Sequence, residues 1–190
     1  MQLKFVTLWL NGKMVRLIKR RNSIFIGVTI LFSLSFCFSL RAQSSEIVGV
    51  GDKIPNFEFV LDGVKLDESY FTHKLVWINF FATWCPPCRA ELKLINEKLY
   101  KKYKDNCDFA FIAVGYGHDI EQIRLFQIEN QLELPFVADQ NLSIFSLFAK
   151  GVIPRNYLVD REGVIFYAGD GFDEAEFEKL FELVDNELHD

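Results

Sequence analysis

Apolar and polar residues alternate along this chain with three different periods, and each period predicts a different kind of element. Leu75 to Phe81 (LVWINFF) is a nearly unbroken apolar run, as is Phe109 to Val114 (FAFIAV). Runs of that length bounded by polar turns predict strands covered on both faces. From Pro86 onward the period changes. Cys88, Leu92, Ile95, Leu99 and Tyr103 recur at helical spacing with charge on the opposite face, which predicts an amphipathic helix. A second helix is predicted over Asp119 to Gln131, opened by Asp119 with Gln122 three residues on. Asp173 and Glu176 repeat that signature before Phe177, Leu180, Phe181, Val184 and Leu188, the apolar face of a last helix.

Shorter segments complete the pattern. Phe57 to Leu61 predicts a strand closed by Asp62-Gly63. Asn156 to Val159 and Val164 to Ala168 predict a hairpin around Asp160-Arg161-Glu162-Gly163. The order is then β, βαβ, α, ββα. It implies an α/β fold: a central mixed sheet flanked by helices, with an extra N-terminal strand.

The charge distribution divides the chain. Residues 1–42 hold seven basic residues and no acidic one, which leaves 14 basic against 26 acidic in the remaining 148. A body this acidic, without a basic patch, does not suit nucleic acid. Lys19, Arg20 and Arg21 lead into Ile24 to Leu40, an apolar run of 17, followed by Arg41-Ala42. A basic flank, an apolar middle and a small residue at the end predict a secretory signal or an uncleaved membrane anchor over residues 1–42. Met14 offers an alternative start with the same features. Residues 43–50 read as a linker and 51–190 as the folded domain. The body is expected outside the cytoplasm, periplasmic or anchored at the membrane.

The chemistry sits at Trp84-Cys85-Pro86-Pro87-Cys88, between a buried strand and an amphipathic helix. Cys85 falls at the N-cap. Pro87 has no N–H, so the donor aimed at the Cys85 sulfur is the Cys88 amide. That amide and the helix dipole favour a thiolate. Three helical residues bring the two sulfurs onto one face, close enough to form and break a disulfide. An exposed low-pKa thiol beside a recessed one is what disulfide exchange requires. A zinc site would need a second ligand pair, and the other thiols (Cys37, Cys107) and His73, His118 and His189 lack ligand spacing. A structural disulfide with a two-residue loop would be a weak staple for such a body.

Three segments carry a family resemblance: Gly51-Asp52-x-x-Pro55-x-Phe57, the run Asn79-Phe80-Phe81-Ala82-Thr83-Trp84-Cys85-Pro86-Pro87-Cys88-Arg89-Ala90-Glu91, and Gly151-Val152-Ile153-Pro154 before a strand. In these the chain resembles exported thiol-disulfide oxidoreductases of the TlpA/ResA type, with a thioredoxin-like fold. The resemblance implies Cys85 as attacking thiol, Cys88 as resolving thiol, and Pro154 as a cis-proline beside the disulfide. Ile153 and Trp84 would meet the substrate. Glu91 would handle the active-site proton, because Asn79 stands where cytosolic thioredoxins carry an Asp. Arg155 and Asn156 depart from the small hydroxyl residues commoner in the family. Substrates would be protein thiols and disulfides of exported proteins, reduced with electrons from an upstream membrane or periplasmic donor, without cofactor or bound metal.

Two alternatives use the same residues. A copper-binding chaperone would hold the metal on the soft Cys85 and Cys88 thiolates, although copper carriers of this fold resemble C-x-x-x-C plus a distant His. A peroxiredoxin-like peroxidase would need Thr or Ser at position 82 and Pro at 78, where Ala82 and Ile78 stand. Cys107 reads as a spare thiol, and His118 as a residue that merely precedes a helix.

Overall fold

The computed structural model of the protein describes residues 6–10, 13–17 and 45–189. The chain divides into two units, Met1–Gln43 and Ser44–Asp190. In the first, β1 (Val6–Leu10) pairs antiparallel with β2 (Lys13–Leu17). The apolar run at 24–40, the Ala42 junction and Cys37 lie outside the described residues. Among the described residues no helix is long and apolar enough to cross a membrane.

In the second unit, β3 (Glu58–Leu61) and β4 (Val64–Asp67) form a hairpin across Asp62-Gly63. Both turn residues have positive φ (50° and 82°), which Gly tolerates without cost and Asp better than most residues. A 3₁₀ turn (Glu68–Phe71) leads to β5 (Leu75–Phe81) and then α1 (Pro86–Leu94). A π-helical stretch (Ile95–Tyr100) and α2 (Lys101–Tyr103) continue α1. There follow β6 (Phe109–Tyr116), α3 (Ile120–Asn130), β7 (Phe136–Asp139), α4 (Phe145–Phe148), β8 (Arg155–Val159), β9 (Ile165–Asp170) and α5 (Glu174–His189).

Five strands form one mixed sheet in the order β7-β6-β5-β8-β9. β5, β6 and β7 run parallel, and β8 and β9 antiparallel to their neighbours. Successive side chains of a strand point to opposite faces. In β5, Leu75, Trp77 and Phe81 therefore join one core with Leu92, Phe126 and Phe177 from α1, α3 and α5. Val76, Ile78 and Phe80 join a second core on the other face, with Phe57, Phe59, Phe71, Phe145 and Phe148. The apolar runs of the sequence are thus the strands buried on both faces. The second face is covered by the β3–β4 hairpin, the 3₁₀ turn and the single turn of α4, not by a long helix.

Several expectations need correction. The predicted first helix is not one α-helix. An i→i+5 bond from Lys101 N–H to Asn96 O widens a turn, which suits an apolar stripe whose last steps are four residues each. All five predicted stripe residues are buried. The capping box at Asp119 and Gln122 is reciprocal, whereas at Asp173 the Glu176 carboxylate turns away to accept from the Tyr167 hydroxyl at 2.9 Å. β4, β7 and α4 were not expected; each is four residues long and leaves too little pattern to detect. The described part of the predicted linker is fastened down. Ile47 N–H donates to Phe148 O (2.9 Å), and Lys150 N–H to Ser45 O (2.7 Å).

Phe148 organises the second core. Its ring lies 5.7, 5.2 and 5.0 Å from those of Phe57, Phe80 and Tyr157, and its carbonyl accepts from the Tyr157 hydroxyl at 3.1 Å. Phe148→Ala is expected to cost about 3–5 kcal/mol of unfolding free energy by urea denaturation. A loss under about 1 kcal/mol would mean that α4 is not part of the core.

Candidate active site

The strand β5 ends inside the molecule and the chain turns through Ala82, Thr83 and Trp84 into α1. Cys85 has extended backbone (φ −90°, ψ 108°) at the N-cap, with prolines at the first two helical positions. Those prolines lack N–H groups that would have had no helical partner. The first free amide, Cys88 N–H, points at the Cys85 sulfur from 3.3 Å. The two cysteines are joined as a disulfide with Cα atoms 5.3 Å apart. Contrary to the expectation of an exposed first thiol, Cys85 is only 4% exposed in this oxidised form, and Cys88 is fully buried. Trp84 beside them is 66% exposed, more open than a packing residue would be.

A polar network lies on the same face of α1, one turn beyond Cys88. Glu91 is 1% exposed. Its Oε1 accepts from Asn156 Nδ2 (2.6 Å) and its Oε2 from Asn79 Nδ2 (2.8 Å). Asn79 and Asn156 face each other across β5 and β8, and Asn79 Nδ2 also donates to Asn156 Oδ1 (2.8 Å). The Trp77 indole N–H donates to that same oxygen, again at 2.8 Å. Burial pushes the Glu91 carboxyl up to about 7, with the bonds from Asn156 and Asn79 only partly opposing it. The Oδ1 of Asn79 is buried without a partner.

The second loop at the site precedes β8. The Ile153–Pro154 peptide is cis; Ile153 is half-buried and Pro154 buried. Behind the loop, Arg155 is fully buried. Its guanidinium donates to Ser45 Oγ (2.6 Å), Asp170 Oδ2 (2.6 Å) and Glu46 Oε1 (3.3 Å), and to the loop carbonyls of Gly151 and Val152 (both 3.4 Å). A buried cation needs such partners, and here they fasten the loop to Ser45, Glu46 and Asp170.

The structure thus gathers Cys85, Cys88 and Glu91 on one helix and sets Asn79 beside them. Sequence reasoning assigned no function to Asn156 or Trp77. The only signal was that Asn79 interrupts an apolar strand and Asn156 follows the Pro154 motif; their register required the folded sheet. Cys107 is exposed and apart from this site. Among the described residues, no three His, Cys, Asp or Glu side chains converge as a metal-binding group.

Comparison with known proteins identifies the family. The family model described as Redoxin matches residues 49–184. The thiol-disulfide oxidoreductase ResA of a Bacillus cereus strain is 31% identical over 152 residues, covering 77% of this chain and 87% of that protein. ResA of Bacillus anthracis is 28% identical over the same length and shares. Among solved structures, a candidate protein disulfide isomerase from Bacteroides thetaiotaomicron superposes with a TM-score of 0.74 at 32% identity, covering 77% of this chain and 94% of that one. A thioredoxin-family thiol:disulfide interchange protein from Chlorobium tepidum TLS shares the fold at 21% identity, with a TM-score of 0.59 over 70% of this chain and 96% of that one. With a redoxin match over most of its length and a ResA relative 31% identical over 152 residues, the chain belongs to the redoxin family, among the ResA/TlpA-type thiol-disulfide oxidoreductases of the thioredoxin superfamily.

Proposed function

We propose that Cys85 and Cys88 are the redox couple of this oxidoreductase, that Glu91 is its proton acceptor, and that it reduces disulfides of exported proteins. The observation that carries the reading is a buried carboxyl one helical turn beyond a buried thiol, with no charged partner in its hydrogen-bond set. In the reduced protein, the Cys85 thiolate, facing the Cys88 amide, attacks one sulfur of a substrate disulfide. The substrate S–S bond breaks, a mixed disulfide forms, and the released substrate thiolate takes a proton from water. Cys88 then gives its proton to Glu91 and attacks the Cys85 sulfur. The second substrate sulfur leaves and is protonated, so the substrate gains two electrons and the enzyme holds a disulfide. An upstream dithiol donor returns the enzyme to its reduced state.

Substrate would dock where Trp84 is open and the loop at Ile153 and Pro154 lies alongside. The free backbone of Ile153 suits an extended peptide added as a short strand. Export is proposed from the sequence: the basic cluster Lys19–Arg21 and the apolar run 24–40 read as a cleaved signal or an anchor. The N-terminus of the mature protein, read by intact mass, is expected near Gln43; retention of the whole run in a membrane fraction would identify an anchor, and a cytosolic full-length product would refute export.

Division of labour between the cysteines has a direct test. Cys88→Ser leaves Cys85 able to attack but nothing to resolve the adduct. Mixed disulfides with partner proteins should accumulate on non-reducing gels. If Cys85→Ser traps partners and Cys88→Ser does not, the roles are reversed.

Glu91 makes stability depend on pH. Its folded carboxyl titrates near 7 against an ordinary value of 4.5, so between those values the native state binds more protons than the unfolded chain. Stability is therefore fully present below about 4.5 and falls as pH rises towards 7, by on the order of 3 kcal/mol. Glu91→Gln should flatten this slope in urea titrations of the oxidised protein and slow resolution of the mixed disulfide. A slope and a resolution rate both unchanged in Glu91→Gln would leave the residue as a buried structural carboxyl with no part in proton transfer.

A further inference from the structure

His118 precedes α3 in sequence, yet its side chain belongs to the loop that carries the proposed nucleophile. It is 5% exposed. Its Nε2 accepts the Thr83 N–H at 3.0 Å, and the Thr83 hydroxyl lies 3.4 Å from the same nitrogen. An amide N–H can only donate, so Nε2 must hold a lone pair and the ring proton must sit on Nδ1. Nδ1 faces Gln122 Oε1 at 3.4 Å. That oxygen is already oriented by Asp119 N–H at 3.0 Å, as half of the capping box of α3. A helix cap therefore selects the tautomer that can accept from the active-site loop.

The bond falls on one particular peptide group. Thr83 N–H and Ala82 C=O belong to the same planar unit. The Ala82 carbonyl accepts the Cys85 N–H at 3.1 Å. This peptide is thus held at both ends, by His118 on its N–H and by Cys85 on its oxygen. Donation to His118 also polarises the peptide and strengthens the carbonyl as acceptor for Cys85. The ring and the backbone that carries it are both held. The Phe81 ring lies 6.4 Å away, His118 N–H donates to Gly115 O (3.2 Å) and Gly117 N–H to Asp139 O (3.1 Å). A Cβ on Gly115 would come within 3.4 Å of the His118 Cβ and 2.7 Å of Ile123 Cδ1, so the glycine keeps room for this packing.

We propose that His118 is a positioning residue for disulfide exchange: as a neutral acceptor held by the α3 cap, it fixes the Ala82–Thr83 peptide and through it the N-cap placement of Cys85. Without that acceptor the peptide can rotate, the Ala82 carbonyl leaves the Cys85 N–H, and the Cys85 sulfur loses its alignment on Cys88 N–H. Thiolate stability falls with it. The inference rests on the proposed assignment of Cys85 as nucleophile.

The test compares His118→Phe, which keeps the ring shape without an acceptor, with His118→Gln, whose Oε1 lies the same number of bonds from Cβ as the imidazole Nε2. Both full-length proteins are reduced. The rate of Cys85 alkylation by iodoacetamide and the ultraviolet titration of its thiolate are then measured, with peptide mapping of the first cysteine modified. His118→Phe is expected to slow Cys85 alkylation by roughly fivefold, the order of one lost hydrogen bond, and to raise the thiolate midpoint. His118→Gln should restore most of both. If His118→Phe does not fold, His118→Asn, whose amide stops one atom short of Thr83, takes its place. Rates and midpoints equal to wild type in His118→Phe, with Cys85 still modified first, overturn the proposal and leave the cysteine assignment intact. Equal losses in His118→Gln and His118→Phe also overturn it, because the acceptor would then not matter. First modification at Cys88 in the wild-type protein would instead refute the assignment on which the proposal rests.

Discussion

The arrangement of this site depends on the burial of one carboxyl group between two amides. Glu91 lies in the interior with Asn156 and Asn79 as its donors. Neither amide carries a charge, so they hold the carboxyl in place without fixing it in the ionised form. A lysine or arginine at either position would hold it as a carboxylate. With amides, desolvation prevails and the group sits near neutrality. The other parts of the network follow from this. Asn79 must lie on β5 where it faces the helix, Asn156 must pair with it on β8, and Trp77 must occupy the Asn156 oxygen so that its nitrogen turns towards Glu91.

The loops after β5 and before β8 leave the same end of two paired strands, and each is held from behind by a buried polar side chain. Arg155 binds the loop before β8 and ties it to Ser45, Glu46 and Asp170. His118 binds the loop after β5. In both cases a residue outside the reacting pair fixes backbone that a mobile loop would leave loose. The second residue of each pairing, Gln122 for His118 and Asp170 for Arg155, comes from an element that never reaches the sulfurs.

Much of this was legible in the letters because strong patterns carry it. The runs 75–81 and 109–114 mark strands buried on both faces, and C-x-x-C at the end of such a run places Cys85 at a helix start. The Asp119 and Gln122 signature announced its capping box. Four-residue elements such as β4, β7 and α4 carry too few positions to show a period. The partners of Glu91 were hidden for a different reason. Asn79 and Asn156 are 77 residues apart, and nothing local says that an antiparallel register sets them opposite. His118 does precede a helix, as its sequence neighbours indicate, but its side-chain partner Thr83 lies 35 positions earlier and no local pattern announces it.

The proposed mechanism stands or falls on whether Glu91 exchanges a proton near neutral pH. Carbon-detected NMR of the side-chain carboxyl, with Glu91 assigned by comparison with Glu91→Gln, follows that proton directly in the oxidised protein. A titration midpoint near 7 is expected for Glu91. A midpoint at the ordinary value of about 4 would mean that Glu91 is ionised throughout the working range, and would contradict its role as the acceptor of the Cys88 proton.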